Sequence, residues 1–114
     1  MKKKIVTLVL VMMFFCSTIF AGSAQFPLIV NLTLASANTE YSQEMLGAKK
    51  FTIQCRTNFA VRFAYVAGKV AAPTASYITI KAGSVYWEDD ISLDKTLYFA
   101  SSEAGVIVEI IYFK

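Results

Sequence analysis

The sequence predicts an all-β domain, a small antiparallel β-sandwich or jelly-roll-like barrel of about seven strands. Three observations point there. From Leu28 onward, apolar and polar residues alternate in short runs, as in extended chain with one face on a core. Small, polar or glycine-containing stretches interrupt the runs at near-regular spacing. No stretch of that region carries a convincing helical period, a heptad or an internal repeat.

The elements follow in order. Leu28 to Leu34 places Leu28, Val30, Leu32 and Leu34 on one face and Ile29, Asn31 and Thr33 on the other. Tyr41 to Leu46 is a short strand with Tyr41, Gln43 and Met45 on one side, a helical turn being the competing assignment. Lys49 to Arg56 turns Phe51, Ile53 and Cys55 inward. Phe59 to Val66 does the same with Phe59, Val61, Phe63 and Tyr65, and a short polar turn joins the two as an expected hairpin. Gly68 to Ser76 is a loop. Tyr77 to Lys81 is a strand with Ile78 and Ile80 inward, which Val85-Tyr86-Trp87 continues past a turn or bulge. Thr96 to Ala100 buries Leu97 and Phe99.

Gly105 to Lys114 is the most apolar strand. Val106, Val108, Ile110 and Tyr112 share one face, and Ile107, Glu109, Ile111 and Phe113 the other. A strand apolar on nearly both faces belongs in the interior of a sheet. Its outward residues Ile107, Ile111 and Phe113 are the candidate subunit interface.

Residues 1–24 read as a segment outside this domain. Lys2, Lys3 and Lys4 precede an uncharged apolar run from Ile5 to Phe20, and Ala21, Gly22, Ser23 and Ala24 follow. That layout is a secretory signal peptide, with cleavage expected after Ala24 or after Ser23. The run is short of the roughly 20 apolar residues that span a bilayer. Membrane contact is therefore expected only before cleavage, and residues 25–114 are expected to form one exported domain, secreted, periplasmic or at the cell surface.

Of the eleven basic residues, three are those N-terminal lysines; without them, eight basic face eight acidic ones. The basic balance thus belongs to the leader and is no nucleic-acid footprint. A neutral domain tolerates self-association. Cys16 falls in the leader, so Cys55 is alone in the domain, and its face-sharing with Phe51 and Ile53 marks it as a small apolar packing residue.

The chain has no histidine, which removes Ser-His-Asp and Cys-His catalysis and His-based metal sites. No P-loop or GxGxxG motif is present. No enzyme, cofactor or metal site is expected. Trp87-Glu88-Asp89-Asp90 with Asp94 is the one constellation to weigh. Clustered carboxylates can hold calcium, but the EF-hand spacing is absent, and a solvated acidic turn is the preferred reading. With Tyr86 and Tyr98 the same residues suit a sugar-binding surface, since aromatic faces stack on sugar rings beside hydrogen-bonding carboxylates. Cross-strand aromatic pairs that stiffen a sheet are the alternative.

Four segments carry a resemblance: Lys49 to Arg56 (KKFTIQCR), Ile78 to Tyr86 with its Ala82-Gly83-Ser84 turn, Thr96 to Ser102 (TLYFASS) and Val106 to Ile110 (VIVEI). Their order from Asn38 to Phe113 resembles that of small all-β modules in tailed-phage virion proteins, of the decoration or minor structural kind. These motifs are fold-forming and cover most of the exported part. The resemblance implies a structural role in a particle, a virion location as the alternative to the cell surface, and no catalytic residues. Self-association or another structural protein is the expected partner, and a surface glycan the second possibility.

Overall fold

The computed structural model describes residues 26–114 except 75, 90, 92 and 93. The predicted leader 1–24 lies outside the described residues, as does Asp90. Eight strands are present among the described residues: β1 (Pro27–Leu34), β2 (Tyr41–Glu44), β3 (Lys50–Cys55), β4 (Val61–Ala64), β5 (Ile78–Ile80), β6 (Val85–Glu88), β7 (Thr96–Ala100) and β8 (Val106–Phe113). They form two antiparallel sheets, of order β1-β8-β3-β6 and β2-β7-β4-β5.

The pairing has a simple logic. β1 pairs β8, β2 pairs β7, β3 pairs β6 and β4 pairs β5. The chain behaves as one long hairpin whose tip is the β4–β5 loop. Wrapping that ribbon around a core adds the β3–β8 and β4–β7 contacts. This is the jelly-roll arrangement of an all-β sandwich.

The wrapping explains two departures from the sequence reading. β3 and β4 do not form a hairpin; they lie in different sheets. Each is an interior strand with both edges already occupied, β3 by β8 and β6, β4 by β7 and β5. Alternation reports which face is buried, not which strand is the neighbour. The segment between them crosses from one sheet to the other, with Arg56 N–H held on Ile107 O at 2.9 Å and Ala60 O accepting from Ser101 Oγ at 2.9 Å. Likewise β6 does not continue β5. The Ala82-Gly83 turn, with Gly83 at φ 76°, sends the chain to the opposite sheet, so there are eight strands and not seven.

The core lies between the sheets. Phe51, Ile53, Val106, Val108 and Ile110 meet Val61, Phe63, Leu97 and Phe99, all buried. Leu34 and Met45 complete it, and Val30, Leu32 and Cys55 pack against its margin. Phe59, Tyr65 and Ile78 are more exposed than their periodicity implies. Phe59 and Tyr65 lie beyond the ends of β4, and Ile78 is on the edge strand β5.

The sandwich has two outer faces, and they differ. On the β2-β7-β4-β5 sheet, Ala64 and Ala100 are small enough for the β4–β5 loop to fold back and bury Val70 against them. Arg62 Nε donates to Val70 O at 2.8 Å, and its Nη2 donates to Asn38 Oδ1 at 2.9 Å. Gly68 N–H is held by Glu40 Oε2 at 2.9 Å. Asn38 is the one non-glycine at positive φ among the described residues (50°), a conformation asparagine tolerates, and its N–H also reaches Ser101 O. This face is therefore closed by the chain itself. Among the described residues, the other is not.

Candidate functional site

The open face belongs to the β1-β8-β3-β6 sheet. Its registers align residues in rows across four strands. Ile29, Ile111, Thr52 and Trp87 form one row. Asn31, Glu109, Gln54 and Val85 form the next. Pro27, Phe113 and Lys50 lie above the first, and Thr33 beside Ile107 below the second.

Apart from Thr52, the first row is apolar. Ile29 is 68% exposed, Trp87 66% and Ile111 37%. Val85, also well exposed, extends it, and Lys50 Nζ lies 4.5 Å from the Phe113 ring centre, a cation–π contact. The second row is polar: Arg56 Nη2 donates to Glu109 Oε2 at 3.2 Å and to Asn31 Oδ1 at 3.1 Å. Exposed as it is, this ion pair adds little stability. It leaves the face with both signs of charge beside apolar side chains.

A shallow depression of about 150 Å³ lies between Lys50, Thr52, Trp87, Asp89 and Phe113. Enclosed small-molecule sites run to roughly 300–1,000 Å³. The surface is suited to a broad contact rather than to engulfing a ligand.

The sequence-derived candidates separate. Ile107, Ile111 and Phe113 do share this outer face, Ile111 exposed and the other two half-buried. Trp87 also faces outward here. Tyr86, one residue away, points to the opposite side: its ring centre is 4.7 Å from Phe63 and 6.2 Å from Phe51. Tyr98 is on the other sheet, packed against the Ala64, Val70 and Ala100 cluster. The three aromatics therefore make no common platform, because neighbours on a strand face opposite ways. Glu88 accepts the Tyr86 hydroxyl through Oε1. Asp94 Oδ1 accepts Gly47 N–H at 2.8 Å and so holds a turn. Asp89 is exposed at the rim of the depression. Among the described residues no group of three or more acidic, cysteine or histidine side chains is placed to hold a metal ion.

Sequence reading missed Ile29, Val85, Thr52 and Lys50 as members of this surface. The available signal was Ile29, an apolar residue on the otherwise polar side of its strand.

Burial raises the Tyr86 hydroxyl far above the usual tyrosine range, and its bond to the Glu88 carboxylate adds to the rise. Burial also raises Tyr65, with the Glu88 charge acting in the same direction. Both groups stay neutral below pH ~10 in folded and unfolded chain alike, so their contribution is fully present there. Above that pH the unfolded chain ionises first, and stability falls as pH climbs toward their folded pKa values. Ultraviolet titration should show a late-ionising phase from two of the six tyrosines that disappears in denaturant. Tyr86→Phe should shrink that phase. A folded protein lacking it would contradict the packing described.

No family model matches the chain, and neither does any curated protein or solved structure.

Proposed function

We propose that this chain is a non-catalytic structural or assembly module, exported or carried on a particle. One observation carries the reading. One outer face of the sandwich is closed by the protein's own loop, while the other keeps Ile29, Ile111, Val85 and Trp87 in water. Large apolar side chains exposed together on one sheet face are costly to leave in water and favour a contact with another protein. The fold is compatible: jelly rolls serve in capsid and lectin domains, although fold alone decides no function. The resemblance to virion modules supports the particle setting, and the leader-like residues 1–24 support export. The absence of histidine supports a role without catalysis.

Light scattering on the full chain, expressed and processed by an exporting host, tests this. The expected result is a mass above that of the monomer at micromolar concentration. A strict monomer whose outer face gains no protection from hydrogen exchange at any concentration would count against the proposal. Mass spectrometry of the same sample should place the new N-terminus at Gln25 or Ala24.

The exposed Trp87 favours a second reading, a glycan-binding module. Its ring is open to stacking, with Thr52, Lys50 and Asp89 around the adjoining depression. A sugar that binds there should shift Trp87 fluorescence; a silent response across a glycan array removes the idea.

A further inference from the structure

We infer that two copies of this chain join edge to edge through β1, forming one continuous sheet across a twofold axis. The inference rests on the assembly reading above and names its partner and its contact.

The four sheet edges are β1, β6, β2 and β5. Soluble sheet proteins blunt their edges with short strands and charged side chains. β2 and β6 have four residues each and carry Glu44 and Glu88; β5 has three. β1 has eight residues, PLIVNLTL, and not one charge. Its opening is apolar and exposed on both faces: Phe26 at 73%, Leu28 at 38% and Ile29 at 68%.

The hydrogen-bond pattern shows which groups this edge offers. Gly105 N–H donates to Leu34 O, so Leu34 points toward β8. Arg56 and Lys49 N–H donate to Ile107 O and Phe113 O, so the odd residues of β8 serve β3 and the even ones serve β1. Alternation then turns Leu28, Val30, Leu32 and Leu34 to β8, and leaves Ile29, Asn31 and Thr33 facing outward from the sheet edge. Among the described residues these three N–H and C=O pairs have no backbone partner.

That row is complementary to itself. Antiparallel pairing centred on Asn31 sets Ile29 opposite the second copy's Thr33, and each hydrogen-bonded pair exchanges two bonds, about six in all. The intervening inward pairs bring Val30 against Leu32, side chains only half-buried within one copy. A twofold axis through Asn31 sets the strand against its own copy, so a charge at its centre would meet its like. β1 has none, and that favours a second copy over a charged peptide as the occupant. The row of Ile29 and Ile111 then continues into Thr33 and Ile107 of the second copy.

Thr33→Pro removes one outward N–H without touching the β8 ladder, a position where an edge strand accepts proline. Trp87→Ser alters the outer face alone. Sedimentation of the full, host-processed chain should show a dimer that Thr33→Pro weakens by on the order of 100-fold and that Trp87→Ser leaves intact. Hydrogen exchange at Ile29, Asn31 and Thr33 should slow with rising concentration of the unaltered protein, a readout independent of any variant's folding. Exchange at those amides that ignores concentration, whether fast or protected by the chain's own N-terminal residues, overturns the inference. Association lost with Trp87→Ser but kept with Thr33→Pro overturns it too, while the assembly reading stands. A monomer under all conditions removes both.

Discussion

Phe63→Ala should destabilise the domain by about 3–5 kcal/mol, the range for emptying a buried phenylalanine site. Phe63 is fully buried on the interior strand β4. Its ring meets Tyr86 from the opposite sheet at 4.7 Å, Tyr65 at 5.8 Å with edge-to-face geometry, and Phe99 at 6.1 Å. It is thus one of the residues through which the two sheets touch, and its loss leaves a cavity bordered by the rings of Tyr86, Tyr65 and Phe99. For a domain of this size each kcal/mol moves the melting temperature by roughly 4–8 °C. Thermal unfolding by circular dichroism should therefore fall by more than about 12 °C on that scale. Phe63→Leu should cost much less, because most of the volume remains. Equal stability of the alanine variant and the parent would mean that the sheets do not pack through this residue.

Arg62→Ala should cost about 1.5–3 kcal/mol, the range for charge-assisted hydrogen bonds. The larger consequence is local. Arg62 is the clamp between Val70 O in the β4–β5 loop and Asn38 in the β1–β2 connection. Without it the loop loses its main polar tether, and Val70 loses its cover over Ala64 and Ala100. Limited proteolysis should then cut within this loop well before global unfolding, while the parent resists. Arg62→Lys should not restore resistance, because a single ammonium does not span two acceptors as a guanidinium does. Opening this loop would also expose apolar surface on the second outer face, so the variant should aggregate more readily.

The contrast between the two outer faces is the observation on which the proposed function rests. Ala64 and Ala100 make one face shallow enough for a loop to settle on it. The other face keeps large residues at the same depth, Ile111 and Trp87, and no loop among the described residues lies over it.

The local character of the strands was legible in the residues. The alternation of Phe51-Ile53-Cys55, of Leu97-Phe99 and of Val106-Val108-Ile110-Tyr112 identifies the inward side, and all of these lie in the core or pack at its margin. The interior place of β8 follows from its apolar character on both sides, and the structure puts it between β1 and β3. An outward role for Ile111 was legible on the same grounds.

What a strand pairs with was not legible. β1 with β8 and β2 with β7 join segments far apart in the chain, and among the described residues only β4 with β5 pairs neighbours in sequence. A period of two states which side of a strand is buried and carries no information about its lateral partner. For that reason the expected β3–β4 hairpin was absent, and Tyr86, Trp87 and Tyr98 went to three different surfaces. From its residues alone, then, this protein is an all-strand domain with a hydrophobic centre and no histidine chemistry. Only the wrapping of the ribbon decided that, among the described residues, one face closes, one stays bare and the long, uncharged β1 ends at an edge. Burial is written locally in the side chains, whereas adjacency is settled by backbone hydrogen bonds between residues far apart in the chain.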